Sequence, residues 1–273
     1  MTGTGIRLSA HLGYLFGEMP LRDRFAAARR AGFEGVEHPA PYTVPAGDMA
    51  ALLRGAGLPY VQFGLPNGDT AKGEKGIAIF PDRRAEFRAS LDIGLRYAEA
   101  TGTRILHAMA GVLAERLRLP EHRACYIENL SLAAHEAAKR GITIMIEAMS
   151  PGAVPDYYLG SPDEARGILD EVDQPNLGLL LDVFHTAAIG ADPAQAIVAQ
   201  AGRIAHVHVA DYPMRHEPCS GMIEFAAVLA ALRVVRYSGF IGGEYHPAAG
   251  TQAGLGWLRD FRRATQRENA DGL

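Results

Sequence analysis

Cysteine is nearly absent from this sequence. Cys125 and Cys219 are its two thiols, far apart and without a Cys-x-x-Cys spacing, which excludes a disulfide framework and points to a reducing compartment. No apolar run reaches the roughly eighteen residues that a membrane-spanning helix needs. The amino-terminal stretch Met1 to Arg7 lacks the basic segment and apolar core of a secretion signal. An excess of positive charge is missing too. Against 27 Lys and Arg stand 31 Asp and Glu, a formal net charge of −4, whereas binding to a nucleic-acid polyanion rests on clustered Lys and Arg. No Gly-x-Gly-x-x-Gly follows the first strand-like run, so the dinucleotide-binding fingerprint is lacking as well. These absences lead us to expect a soluble, cytoplasmic protein with a small-molecule partner, no nucleic acid and no membrane. A homo-oligomer is neither required nor excluded by them.

Apolar residues are plentiful, at 48% against 21% charged, enough for a sizeable core. A punctuation mark recurs, in which a helical-looking segment stops at glycine and a strand-like run begins at once. It stands at Gly32, Gly57, Gly102, Gly141, Gly202 and Gly239. Glycine just past a helix end adopts the left-handed conformation that other residues resist, so these are helix stops. Between them lie eight strand-helix units. Strands are expected at Ile6 to Ala10, Gly35 to His38, Tyr60 to Phe63, Arg104 to Ala108, Ile142 to Glu147, Leu177 to Asp182, Arg203 to Val209 and Phe240 to Glu244. Helices are expected at Leu21 to Ala31, Gly47 to Ala56 and Asp82 to Thr101, then one carrying Ile127, Leu130, Ala134 and Ala137 on one face, and then from near Ser161-Pro162, Asp192-Pro193, Ile223 and Thr251. A long loop from Gly64 to Phe80 carries Asp69, Lys72, Glu74 and Lys75, and loops of that length in compact domains are usually functional or mobile. Strict alternation of short strands with helices implies parallel pairing through right-handed crossovers. Eight units in a row favour one α/β domain over residues 1 to 273, a closed (β/α)8 TIM barrel, with a frayed tail past Arg267.

The carboxyl ends of barrel strands form the active-site face. Four successive strands end on a side chain able to bind a metal or move a proton: Glu147, Asp182, His208 and Glu244. Three carboxylates so close repel one another unless a cation lies among them. Three oxygens and one imidazole without thiolate suit Mg2+ or Mn2+, with Co2+ or Zn2+ as other occupants. Taken singly, each is as compatible with a helix cap or a rim residue; their joint position on consecutive strands favours a metal site. His206 shares a strand face with His208 but lies one layer deeper, a structural position. His185 is placed to contact a substrate, and Arg215 to pair with a substrate carboxylate or carbonyl oxygen, each with a surface role as the alternative.

Leu-Phe-Gly-Glu at 15 to 18, Ala-Gly-Phe-Glu-Gly-Val-Glu at 31 to 37, Gly-Glu-Lys-Gly-Ile-Ala at 73 to 78, Ile-Glu at 146 to 147, Asp-Val-Phe-His at 182 to 185, Ala-Asp-Tyr-Pro-Met-Arg-His-Glu-Pro at 210 to 218 and Gly-Glu-Tyr-His-Pro at 243 to 247 form a set. Together these segments resemble the hydroxypyruvate isomerase family, a branch of the xylose-isomerase-like TIM barrels that also include the ketose 3-epimerases and endonuclease IV. The resemblance implies a metal-dependent aldose-ketose-type isomerase of a small hydroxy-oxo acid: hydroxypyruvate to tartronate semialdehyde, or a four-carbon 2-oxo acid to its 3-oxo isomer. It implies Glu147, Asp182, His208 and Glu244 as metal ligands, Glu147 and Glu244 as the acid/base pair, and His185 and Arg215 as substrate contacts. The chain departs from the family pattern at Gly64, where Asn is usual, at Cys219 and Met222 in the loop after Arg215, at His38, and at His208, often Gln in hydroxypyruvate isomerases and His in the epimerases. A ketose 3-epimerase and a non-catalytic sugar-acid-binding barrel are the alternatives.

Overall fold

Five of the six glycine marks behave as their position predicts. Gly32, Gly57, Gly102, Gly141 and Gly202 have φ between 62° and 94°. Gly239 does not belong with them. The preceding helix stops earlier, at Val234, and Arg236 takes the left-handed conformation. Gly239 is small for another reason, since a Cβ there would lie 2.4 Å from the Tyr237 hydroxyl, which donates to the Phe240 carbonyl.

A computed structural model describes residues 6–266; the tail expected to fray past Arg267 lies outside the described residues. Its elements are β1 (Arg7–His11), α1 (Leu21–Ala31), β2 (Gly35–Glu37), α2 (Ala46–Ala56), β3 (Gln62–Gly64), α3 (Arg84–Thr101), β4 (Ile105–His107), α4 (Pro120–Ala138), β5 (Thr143–Glu147), α5 (Pro162–Val172), β6 (Leu177–Asp182), α6 (Val183–Ala188), α7 (Pro193–Ala199), β7 (Ile204–Val209), α8 (Phe225–Val234), β8 (Phe240–Gly243) and α9 (Gly256–Gln266).

The eight strands form one parallel sheet in the order β2-β1-β8-β7-β6-β5-β4-β3. Its two ends meet where Val61 N–H donates to the Val36 carbonyl (2.9 Å) and Val36 N–H to the Pro59 carbonyl (3.1 Å). The TIM barrel expected from the alternation is therefore the fold. Strands covered on both faces read as unbroken apolar runs, and all six residues of β6 are buried. Among the described residues, no helix is long and apolar enough to cross a membrane.

Local chemistry sets most boundaries. Ser161 Oγ accepts from Glu164 N–H at 3.2 Å and opens α5, and Asp192 does the same for α7. The expected helix at Thr251 starts later, at Gly256, because Thr251 is committed elsewhere. Its N–H donates to Glu18 Oε1 (2.6 Å) and its Oγ1 accepts from Phe16 N–H (2.6 Å), tying the β8–α9 loop to the β1–α1 loop. Likewise α8 begins at Phe225, because Ile223 N–H is held by Asp211 Oδ1 at 3.0 Å.

Candidate active site

The barrel interior contains a polar knot. Glu37, the last residue of β2, is fully buried, and four side chains hydrogen-bond its carboxylate. Ser9 Oγ on β1 donates to Oε1 at 2.6 Å, and Gln62 Nε2 on β3 donates to Oε2 at 2.7 Å. His206 and His208 on β7 both bring Nε2 to Oε2, at 3.0 and 2.8 Å. Burial alone would raise the proton affinity of Glu37. The charges and hydrogen bonds of His206 and His208 outweigh that effect and hold the carboxyl well below the ordinary carboxylate range. Gly242 on β8 makes room for the knot, since a Cβ there would lie 2.2 Å from Glu37 Oε1 and 2.8 Å from His208 Cδ2.

With Nε2 on Glu37, the other ring nitrogen of His208 faces the opposite way. Nδ1 is buried, makes no hydrogen bond, and lies 3.4 Å from Glu244 Oε2. It looks into a cavity of about 180 Å3, lined among others by His11, His107, Glu147, His185, Arg215 and Glu244. Asp182 is at the same place, because one atom each of Glu147, Asp182 and His208 lie within 4.8 Å of one another. The structure thus brings Glu147, Asp182 and His208 together, with Glu244 reaching His208 from β8.

Each side chain is aimed by its element. Asp182 ends β6 and caps α6, its Oδ1 accepting from Phe184 N–H (2.7 Å) and His185 N–H (3.1 Å), which leaves Oδ2 for the site. The same short helix presents His185, whose Nδ1 accepts from Ser150 N–H at 3.2 Å. That bond assigns the ring proton of neutral His185 to Nε2, 3.8 Å from Asp182 Oδ2. Arg215 comes from the loop after β7. Asp211 staples that loop by accepting from Gly221 N–H (2.8 Å) and Ile223 N–H (3.0 Å). The Arg215 guanidinium lies between the rings of Tyr14 and Phe184, 5.3 and 5.1 Å from their centroids. It donates to Asp182 Oδ2 at 3.4 Å and closely to Glu244 Oε2.

The electrostatics follow. Burial, then the charges of Glu244 and Asp182, push the Glu147 carboxyl well above its ordinary range. Burial acts the same way on Glu244 but is outweighed by His208, Arg215 and His11, so Glu244 is held well below it. For His208 burial favours the neutral ring, and the nearby Glu244 and Glu37 outweigh it. His107, 3.7 Å from Glu147, is pushed down to about 3 by burial and by His208.

Comparison with known proteins gives this arrangement a context. A sequence model of the xylose isomerase-like TIM barrel family matches residues 25–261. The chain is 37% identical to a 2-oxo-tetronate isomerase of Cupriavidus necator over 93% of its own length and 98% of that protein. It is 32% identical to the hydroxypyruvate isomerase of Escherichia coli over 94% and 100%. The chain belongs to the xylose isomerase-like TIM barrel family. Within that family it stands with the hydroxypyruvate isomerase group, as the sequence segments imply. A solved structure from Brucella melitensis, described as an AP endonuclease of family 2, superposes with a TM-score of 0.91 at 37% identity, over 93% of this chain and 98% of that one. L-ribulose 3-epimerase superposes at 0.79 with 20% identity over 98% of each chain, a likeness of fold.

In this member of the family the donor set fits a hard divalent cation. Carboxylate oxygens and one imidazole nitrogen converge without thiolate. His208 Nδ1 is an orphaned buried atom pointing at them, and Glu37 behind Nε2 is the second carboxylate that orients metal-binding histidines. Sequence reasoning missed Glu37, His11 and His107, although all three satisfy the criterion that selected the other four: a strand ending on a polar head. Of the departures from the family pattern, Gly64 lines the cavity, and a Cβ there would lie 2.8 Å from the Pro39 carbonyl. Cys219 and Met222 are exposed and outside the cavity wall.

Proposed function

We propose that this protein is a metal-dependent isomerase of small hydroxy-oxo acids. It moves a proton between adjacent carbons so that a 2-oxo acid and its 3-oxo isomer interconvert. Hydroxypyruvate and the four-carbon 2-oxo-tetronate are the substrates to which its relatives' names point. The observation that carries the reading is the pair Glu147 and Glu244. They are two carboxylates lining one cavity, the buried Glu147 at the end of β5 and the partly buried Glu244 just past β8, with Asp182 and His208 between. A carboxylate on either side of a bound hydroxy-carbonyl is what a 1,2-proton shift needs: one takes the proton from the first carbon, and the other, or the same one after a shift, returns it to the neighbour.

Glu147, Asp182, His208 and Glu244 would hold the cation, Mg2+ or Mn2+, which when bound supplies Lewis-acid stabilisation of the developing enediolate charge. The chain supplies the rest. Glu37 holds the His208 ring with Nδ1 forward. Arg215 is fixed beside Asp182 and Glu244, where its N–H groups meet an oxygen that gains charge. Pro39, Met109, Met149 and Val154 in the wall limit water. The volume of about 180 Å3 is below the 300 Å3 or more typical of drug-sized ligands, and suits a molecule of three or four carbons. That size and the net charge of −4 support a small substrate over a DNA backbone.

Proton NMR of Mg2+-loaded protein in D2O tests the reading. Hydroxypyruvate or the four-carbon oxo acid should incorporate deuterium while the isomer forms. Inertness towards both, with a ketohexose epimerised instead, would identify a ketose 3-epimerase. Inertness towards all three would favour a binding protein.

A further inference from the structure

An arginine and a lysine stand in the cavity wall, and they are differently committed. Arg215 is held by Asp182 and Glu244 and clamped by two aromatic rings. Lys75, from the loop between β3 and α3, lines the same cavity and has no partner among the described residues. The contrast with the other two lysines of the chain is direct: Lys72 pairs with Asp69 at 3.0 Å and Lys139 with Glu136 at 2.7 Å. We infer that Lys75 receives the carboxylate of the substrate and so selects oxo acids over neutral hydroxy-carbonyl compounds. This inference rests on the isomerase reading and goes further by assigning the acid end of the molecule.

The loop is built to leave that ammonium uncommitted. Glu74, the adjacent carboxylate that would most readily neutralise it, is turned away: Oε1 accepts from Arg83 Nη1 at 2.9 Å and Oε2 from Asp69 N–H at 2.6 Å. On the other side Gly76 N–H donates to the Asn67 carbonyl at 3.1 Å, and Gly76 bridges to Ala110 beyond β4. Gly76 has φ +99°, and a Cβ there would lie 2.1 Å from the Met109 carbonyl oxygen, so only glycine allows this approach. With both flanking residues anchored, the backbone that carries Lys75 is fixed.

Charge orients the substrate. The cavity floor is rich in carboxylate, from Glu147, Asp182 and Glu244, and the cation these residues would hold favours the substrate's adjacent hydroxyl and carbonyl oxygens there. The hydroxyl and carbonyl oxygens go to the floor, where the proton shift occurs. The acid end is left for the solvent-exposed part of the cavity wall, to which Lys75 belongs. Because Lys75 meets only the non-reacting end, its contribution is to binding and appears in KM more than in kcat.

The test compares wild type, Lys75→Met and Lys75→Arg, all Mg2+-loaded. Steady-state kinetics use the better of hydroxypyruvate and the four-carbon oxo acid. Calorimetry uses glycerate, which keeps the carboxylate and lacks a carbonyl to isomerise. We expect Lys75→Met to raise KM and the glycerate Kd by about ten-fold, as for loss of one partly exposed charge-assisted contact, with kcat moving less than about three-fold. Lys75→Arg should recover most of the affinity. A KM and Kd within about two-fold of wild type in Lys75→Met would overturn the inference and leave the isomerase reading standing. Equal impairment of both variants in kcat and in melting temperature would overturn it in favour of a structural role for the loop. Wild-type inactivity on every oxo acid would instead refute the isomerase reading on which the inference rests.

Discussion

Replacing Glu37 by Gln tests whether the knot inside the barrel serves the site in front of it. The exchange preserves shape. Three donors converge on Oε2, from Gln62, His206 and His208 at 2.7, 3.0 and 2.8 Å, while Oε1 receives Ser9 Oγ at 2.6 Å. An amide oxygen placed at Oε2 still accepts from all three, and the amide nitrogen at Oε1 donates to Ser9 once that hydroxyl turns. What disappears is the charge. Hydrogen bonds to a charged acceptor contribute about 1 kcal/mol more than neutral ones, so roughly 4 kcal/mol is at stake over the four bonds. Against this stands the relief of not burying a carboxylate, a penalty of several kcal/mol. The two nearly cancel, and we expect global stability to change by less than about 2 kcal/mol. Binding of the proposed metal would have no such compensation, because a neutral partner would make His208 a weaker and less firmly aimed ligand. Loss of an orienting carboxylate typically weakens metal binding 10- to 100-fold, about 1.4 to 2.7 kcal/mol. Titration with Mn2+ followed by paramagnetic resonance, beside urea denaturation of the same sample, separates the two effects. Glu37→Gln binding Mn2+ within about two-fold of wild type would refute the role assigned to Glu37. Glu37→Ala is uninformative here, since it strands four buried donors at about 1–3 kcal/mol each, comparable to a whole domain's stability.

Other outcomes follow from the same geometry. Glu244→Gln should lower kcat by about 10^2- to 10^4-fold with an unchanged circular dichroism spectrum; near-normal turnover would refute the two-glutamate scheme. Stripping divalent metal with EDTA should abolish deuterium exchange and lower the melting temperature, and Mg2+ at about 100 times its Kd should restore about 2.7 kcal/mol; a calorimetric scan indifferent to metal would contradict a site there. Half-buried His38 is pushed down to about 4 by burial, then by His11 and Arg24. It stays neutral in the folded chain while the unfolded chain takes up a proton below about 6.5. Its contribution is therefore full above pH 6.5 and lost as pH falls towards 4, by up to about 1.4 kcal/mol per pH unit. The gap in urea midpoint between wild type and His38→Asn should narrow from pH 7 to pH 5, and a constant gap would argue against it.

The barrel was legible because alternation and helix stops are local properties. Glycine at Gly32 or Gly102 is demanded by one backbone angle, and Leu177 to Asp182 is apolar because both of its faces are covered. The outer part of the site was legible for a related reason: a polar head after an apolar run, repeated on four neighbouring strands. The deeper part was not. Whether Glu37 points outward as a cap or inward as an acceptor depends on the register between β1 and β2, which pairs Ser9 with Gly35 and His11 with Glu37. It depends equally on β7, five strand-helix units later, supplying two imidazoles at that height. The role of Lys75 is not legible for the opposite reason: it stands among several charges of a long loop, and a lysine in a glycine-rich loop looks solvated until the loop is seen folded back through Gly76 onto Ala110.

The knot also explains a feature that burial alone makes puzzling. Five polar side chains, Ser9, Glu37, Gln62, His206 and His208, occupy the centre of a barrel that apolar residues could fill. A partly satisfied group of this kind is worse than an apolar core, and a fully satisfied one is at best about neutral for stability. Stability therefore does not account for it. Position does: only a strand-borne histidine locked from behind by a charge presents Nδ1 to the cavity in one tautomer and one orientation. The same carboxylate fixes His206, so the two imidazoles of β7 cannot exchange roles by a small shift of the strand. What the interior supplies to the site is a single, rigid direction for one nitrogen atom, and a barrel repacked with apolar residues at those positions would keep its fold and lose that direction.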